Sequence, residues 1–175
     1  MDTTGTSPES ASRPLDRITQ AQHGEAEAAL QKLLDDNYDE LERRFPPDPE
    51  GKANADPGYG SFVKTRDEQT GTLLEEYFAN GGEDGELNVT HQVNESKSPT
   101  AVPGQTYERR YLIAERPDGT HADLAVQDNK VIMAHVREAD GSELVDSSEA
   151  IVRAEEIAKE ILAKLLEKPT SAAQG

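Results

Sequence analysis

The sequence predicts an α+β fold with two N-terminal helices, an antiparallel meander sheet of about five strands, and a C-terminal amphipathic helix packed on that sheet. Apolar residues recur at helical spacing near the N-terminus and again in the last part of the chain. Between these regions, three turn sequences separate strand-like segments at nearly equal intervals. Helices, then strands, then a helix is an order typical of the α+β class.

We expect a single α+β domain over residues 15–168. Residues 1–14 are rich in Ser, Thr and Pro and are predicted to be a disordered N-terminal tail. Residues 169–175 are predicted to be a C-terminal tail. Prolines and glycines are concentrated in residues 46–61, which predicts a flexible loop. No window approaches 18 apolar residues, so no membrane span is predicted.

The first predicted helix covers residues 15–45, where leucines and other apolar residues recur every three or four positions. Its firm part runs from Glu25 to Arg44, because Gly24 weakens the earlier turns. Pro46 then ends it, since proline has no amide hydrogen with which to continue a helix.

A second, shorter helix is predicted between residues 65 and 80. Thr65 and Glu68 have the spacing of a capping box, in which each side chain bonds the other residue's backbone amide. Leucines and aromatic residues at positions 73, 74, 77 and 78 supply an apolar stripe. Asn80, Gly81 and Gly82 then form a typical helix stop.

The first strand is predicted from Glu86 to Asn94. Apolar and polar residues alternate along it, which is the period of a half-buried strand. Two prolines in residues 95–104 predict a loop that leads to the rest of the meander.

Turn chemistry predicts the register of the meander. Residues 117–119 form a three-residue loop between Arg116 and Thr120, Asp128 and Asn129 form a two-residue turn, and residues 139–141 form a third turn. One face then carries Leu112, Ala114, Ala122, Leu124, Val126, Val131, Met133 and His135. The other face carries Tyr111, Ile113, Ile132, Ala134, Val136 and Leu144. Both faces are partly apolar, so the sheet is predicted to need cover on both sides.

The C-terminal helix is predicted to begin at Ser147 or Ser148, either of which can cap it, and to end before Pro169. Its apolar face is broad, which favours packing on the sheet: Ile151, Ala154, Ile157, Ala158, Ile161, Leu162, Leu165 and Leu166. Glu155 and Glu160 are expected on the solvent side, each paired with the lysine four residues later.

The chain carries 35 acidic and 18 basic residues, which gives a formal net charge of −17. A surface this acidic repels DNA, RNA and anionic lipid, so neither direct nucleic-acid binding nor membrane binding is expected. Solubility, a salty cytoplasm or a basic protein partner would each explain the excess of acidic residues. The absence of cysteine excludes disulfides and thiol nucleophiles and is compatible with a cytoplasmic location.

Four histidines are the natural candidates for acid–base chemistry near neutral pH. His23 is expected to be exposed, His91 and His135 to face the apolar side of their strands, and His121 to lie opposite Glu115. The sequence places no further ligand beside these histidines, so neither a metal nor a cofactor is predicted. Phosphate loops and common hydrolase motifs are also missing. We therefore expect a noncatalytic protein.

The leading hypothesis is an acidic accessory or adaptor protein that binds a protein partner. That partner is either a basic protein or a second copy of the chain, which would make a homodimer. The hypothesis depends on the two-sided apolar pattern and on the negative charge. The predicted interaction face consists of Tyr111, Ile113, Ile132, Val136 and Leu144.

Two other hypotheses stay open. A small-ligand-binding protein or enzyme would use a pocket between the sheet and the C-terminal helix, lined by Leu112, Leu124, Met133 and His135. An acidic mimic of nucleic acid would block a basic protein, and it needs carboxylates at phosphate-like spacing on one face.

Overall fold

The computed structural model describes residues 17–47, 57–94 and 107–167, with the backbone alone for residues 17–22. These ranges contain three α-helices: α1 (Arg17–Asp36), α2 (Tyr38–Arg44) and α3 (Ser148–Glu167). They also contain seven strands: β1 (Gly60–Asp67), β2 (Thr72–Asn80), β3 (Glu86–Val93), β4 (Glu108–Glu115), β5 (His121–Gln127), β6 (Lys130–Arg137) and β7 (Glu143–Val145).

The seven strands form one antiparallel sheet in sequence order, so each strand pairs with its neighbours along the chain. The α+β class and the C-terminal helix on the sheet are confirmed, although the sheet is larger than the five strands expected. We call the face that α3 covers the inner face and the opposite face the outer face. α1 packs against α3 and reaches the inner face, and α2 packs beside β1.

The core lies between α3 and the inner face. Every predicted apolar residue of α3 except the half-buried Leu166 is buried, and they pack on a set from β4, β5 and β6: Leu112, Ala114, Ala122, Leu124, Ala134 and Val136. Burying a leucine-sized side chain contributes about 1.5–3 kcal/mol, so this layer is the main source of stability.

Both ends of α3 are capped by side chains. The Ser147 hydroxyl accepts a hydrogen bond from the Ala150 amide at 3.1 Å, as expected for a serine cap. At the other end, Arg44 of α2 donates to the carbonyls of Leu165 and Leu166, each at 2.9 Å. The positive charge of Arg44 also interacts favourably with the helix dipole at the C-terminus of α3. These contacts fix α3 along the sheet.

The helix predicted at residues 65–80 is wrong, because β1 and β2 form a hairpin there. Asp67 pairs with Thr72, and Gly71 in the turn has a φ of +76°. The Asp67 carboxylate accepts hydrogen bonds from the backbone amides of Gln69 and Thr70. The sequence that resembled a helix capping box therefore belongs to the start of a hairpin turn. The apolar pairs at positions 73, 74, 77 and 78 are compatible with the apolar stripe of a helix and also with a strand that is apolar on both faces. This segment forms a strand because it pairs with β3.

The other N-terminal boundaries differ by smaller amounts. The single helix predicted over residues 15–45 is interrupted at Asn37, whose side chain donates to the Leu33 carbonyl at 2.9 Å. Of the predicted loop over residues 46–61, residues 48–56 lie outside the described residues, and Gly60 and Ser61 belong to β1. The strand predicted from Glu86 is confirmed as β3. The predicted tails at residues 1–14 and 169–175 and the predicted loop at 95–104 lie outside the described residues.

The predicted turns of the meander are confirmed. The Arg116 amide donates to the Thr120 carbonyl at 2.9 Å across the loop between β4 and β5. Between β5 and β6, Asp128 and Asn129 have φ values of 49° and 66°, as a two-residue hairpin turn of this kind requires. The amide of Glu138 donates to the Ser142 carbonyl across the third turn.

The register predicted for β6 is wrong because of a β-bulge. Val126 pairs with Val131, but Ala125 pairs with Met133, so Ile132 is an additional residue in β6. Side chains alternate along a strand, so one additional residue exchanges the faces of everything that follows. Ala134 and Val136 therefore lie on the inner face, and Met133 and His135 on the outer face.

Candidate functional site

Most of the exposed large apolar side chains among the described residues lie on the outer face. The exposed fractions are 40% for Tyr111, 41% for Ile113, 58% for Ile132, 40% for Met133 and 57% for Val145. We call these five residues the outer apolar face. Single exposed apolar side chains are common on soluble proteins, but groups of them mark interaction surfaces.

Strand pairing brings four of these side chains together. Tyr111 of β4 and Met133 of β6 lie on either side of Ala125, to which both are paired. Ile113 lies two residues beyond Tyr111 and therefore points to the same face. The bulge places Ile132 beside Met133. The result is an apolar area across β4, β5 and β6, with Val145 further along the face on β7.

A polar group separates Val145 from the other four residues. His121 Nε2 lies 2.7 Å from Asp123 Oδ2, and His121 Nδ1 lies 3.8 Å from Glu115, the residue predicted to face it. His135 Nε2 lies 3.8 Å from Glu143 Oε2. In the part of the chain that the structure describes, no three His, Asp or Glu side chains are arranged to hold a metal ion.

The predicted interaction face is only partly assembled. Tyr111, Ile113 and Ile132 are exposed on the outer face, as the pattern indicates. Val136 is completely buried on the inner face, and Leu144, its pairing partner, is half-buried on the same side. The bulge at Ile132 causes this difference.

The predicted ligand pocket is divided between the two faces. Leu112 and Leu124 lie on the inner face and line a cavity between the sheet, α1 and α3. Met133 and His135 lie on the outer face, again because of the bulge, so the four residues do not form a common pocket. The cavity offers about 20 Å³ to the centres of water molecules, which is room for about one water.

Charged side chains line the inner cavity and lie beside it. Arg110 contacts Glu27 of α1 and lies 3.1 Å from Glu108. His91 lies 2.8 Å from Glu108 and 3.5 Å from Glu75. Burial alone would raise the pKa of Glu108, but hydrogen bonds from His91 and Arg110 outweigh it and lower that pKa. His91 thus faces inward as predicted, beside two carboxylates that the sequence did not place there.

The deepest part of this charged group is the pair of His23 and Glu155. These side chains are 5% and 2% exposed, and His23 Nδ1 lies 3.1 Å from Glu155 Oε2. The two groups are not oriented for a hydrogen bond, and no described residue makes one to either side chain. Both residues were expected in solvent, so these two expectations are wrong.

Opposing effects act on the protonation of this pair. Burial lowers the pKa of His23, but the carboxylates of Glu155 and Glu27 outweigh it, so the net shift is upward. Burial raises the pKa of Glu155 by more than His23 lowers it. A signal for Glu155 was present in the sequence, because it lies four residues after Ile151 and three before Ala158, on the apolar side of α3.

The comparisons with known proteins add no relatives. The chain matches no protein-family model, and no curated protein or solved structure is significantly similar to it. Among the described helices, none combines the length and apolar character that crossing a membrane requires.

Proposed function

We propose that the chain is a noncatalytic interaction protein that binds a basic protein partner through the outer apolar face. The observation that carries this proposal is the exposure of Tyr111, Ile113, Ile132, Met133 and Val145 on one side of the sheet. Aromatic residues and methionine are enriched in protein interfaces, because they offer large contact areas and adapt to the partner surface.

Charge favours a basic partner over a second copy of the chain. Each copy carries a formal charge of −17, so two copies repel one another before their apolar faces meet. A basic protein is attracted by the same field, which increases the rate of association. Glu115 and Glu143 lie exposed beside the apolar residues and supply carboxylates at the edge of the contact.

A ligand-binding role has one observation in its favour, namely the unpaired polar atoms of His23 and Glu155 beside the inner cavity. The cavity has room for about one water molecule, so any larger ligand would require α1 to move. The outer apolar face requires no such rearrangement. We therefore prefer the interaction role.

Affinity capture with two charge-matched variants tests the proposal. Ile132→Lys places a cation in the outer apolar face, whereas Leu33→Lys places one on α1, at a residue that is 40% exposed. We expect the wild-type chain and Leu33→Lys to retain the same basic protein from an extract of the native cell. Ile132→Lys should reduce its retention about tenfold, because a buried unpaired charge opposes binding.

Two outcomes would contradict the proposal. Equal retention of the partner by both variants would show that the outer apolar face is not the contact. A particle of twice the 19.1 kDa chain mass in light scattering, lost in Ile132→Lys, would show that the face binds a second copy instead.

A further inference from the structure

We propose that the free edge of β7 binds an extended segment of the basic partner, in which lysine or arginine alternates with apolar residues. This inference rests on the proposed function and adds the manner of binding. The segment pairs with β7 as an additional strand and places its basic side chains in an acidic groove between β7 and α3. Strand addition of this kind gives affinity through backbone hydrogen bonds and specificity through alternate side chains.

The two edges of the sheet differ in how they are protected. At the β1 edge, the Tyr38 hydroxyl donates to the Phe62 carbonyl at 3.0 Å, and α2 packs beside the strand. At the β7 edge, no described strand pairs beyond residues Glu143–Val145. An unpaired edge presents a row of amides and carbonyls to any incoming strand.

Hydrogen bonding to β6 shows which groups of β7 are directed outward. The Glu138 amide donates to the Ser142 carbonyl, and the Asp146 amide donates to the Ala134 carbonyl. Bonding residues alternate along an antiparallel strand, so Ser142, Leu144 and Asp146 face β6. The amides and carbonyls of Glu143 and Val145 therefore point to the free edge.

A shallow groove, largely open to solvent, lies next to this edge on the inner side. Leu144 and Val152 supply its apolar surface, and Glu149 and Glu156 of α3 are exposed along it. The Glu149 carboxylate has no hydrogen bond or ion pair to a described residue. Arg153, the one cation lining the groove, lies 2.7 Å from Glu138 and 3.4 Å from Glu156, so the three carboxylates of the lining outnumber it. The groove is therefore complementary to positive side chains.

The alternation of a strand matches these surroundings. Residues of an added strand that lie beside Leu144 would point to the inner side, towards Glu149 and Glu156. Their neighbours in sequence would point to the outer side, next to Val145, which is 57% exposed. An added strand with basic residues on its inner side and apolar residues on its outer side is thus complementary both to the acidic groove and to the surface around Val145.

Fluorescence anisotropy with labelled Lys-Val-Lys-Val-Lys-Val-Lys tests the inference on the full chain at physiological salt. Val145→Pro removes an outward amide at a sheet edge, where proline is tolerated, and should weaken binding about tenfold. Val145→Thr keeps that amide and should change the affinity by less than about threefold. Glu149→Lys should weaken binding about fivefold or more, whereas Glu42→Lys on α2 makes the same charge change far from the groove and should have little effect.

Several results would overturn the inference: no binding to the wild-type chain, equal binding by Val145→Pro, or equal losses in Glu149→Lys and Glu42→Lys. If circular dichroism shows that Val145→Pro fails to fold, the comparison of the two glutamate variants decides. Leu33→Lys, which adds a cation on α1 outside both surfaces, should bind the peptide as the wild type does. Peptide binding judges the edge, whereas capture of the partner by Ile132→Lys and Leu33→Lys judges the outer apolar face, so the two failures are distinguished.

Discussion

His23 and Glu155 are the described side chains with the least favourable polar environment. Burying a charge costs free energy unless a partner compensates, and here each group is the other's nearest partner. Their contact joins α1 to α3, which lie far apart in the sequence. Removing one member of such a pair typically costs about 3–5 kcal/mol, because the other is left buried and uncompensated.

The protonation of His23 follows from this geometry. We expect its imidazole to titrate above pH 6.5 in the folded protein, because the Glu155 and Glu27 carboxylates outweigh burial in setting its pKa. A histidine pKa that is raised on folding stabilises the fold fully below the unfolded value. That stabilisation is lost as the pH rises through the folded value. The pKa of Glu155 is also raised on folding, so its contribution to the stability of the fold is likewise lost as the pH rises.

A titration of the His23 ring by NMR measures this directly. This titration is more direct than a measurement of overall stability against pH. The lowered pKa values of Glu108 and Glu138 add contributions to stability that are lost as the pH falls, opposite to those of His23 and Glu155. The matched variant Glu155→Gln keeps the shape and removes the charge, so the midpoint should move downward. A wild-type midpoint below 6.5, or the same midpoint in both proteins, would contradict this description of the pair.

At the scale of the elements, the bulge in β6 determines which residues are exposed on the outer face. Without it, Ile132 and Val136 would share a face, since they are four residues apart in one strand. With it, Ile132 is 58% exposed and Val136 is fully buried. The outer apolar face therefore owes Met133 to a single additional residue, which also removes Val136 from that face.

Lysine substitutions distinguish the two registers. Ile132→Lys should change the free energy of unfolding by no more than about 0.5 kcal/mol, as for other exposed sites. Val136→Lys should cost more than about 3 kcal/mol, because it places an ammonium group in the core. Urea denaturation measures both values. Similar costs for the two variants would mean that they share a face and that the bulge is absent.

The sequence predicted those elements that depend on local chemistry. The Asp128-Asn129 turn, the loop before Thr120 and the serine cap of α3 were all found, because their residues have intrinsic preferences for these conformations. The β4–β5 register followed from the loop length. No long-range information is needed for any of these features.

The features that the sequence did not predict depend on tertiary contacts. The bulge opposite Ala125 carries no distinctive residue, and β2 became a strand only through pairing on both sides. The candidate site was affected in the same way: Tyr111 and Ile113, before the bulge, were placed correctly, and Val136, after it, was not.

At the scale of the whole molecule, the chain combines strong negative charge with a one-sided distribution of its helices. α1 and α3 cover the inner face, and among the described residues no helix packs on the outer face. In the proposed interaction, the net charge of −17 opposes self-association and attracts a basic protein. The outer apolar face and the β7 edge are the two adjoining surfaces that we propose for its binding.

Site-specific photo-cross-linking in the native cell tests the central proposal most directly. A benzophenone amino acid replaces Ile132 in one protein and Leu33, exposed on α1, in a matched control. We predict that the probe at position 132 forms one dominant adduct with a basic protein and that the probe at position 33 does not. The same adduct from both positions, or none from position 132, would contradict a role for the outer apolar face in binding.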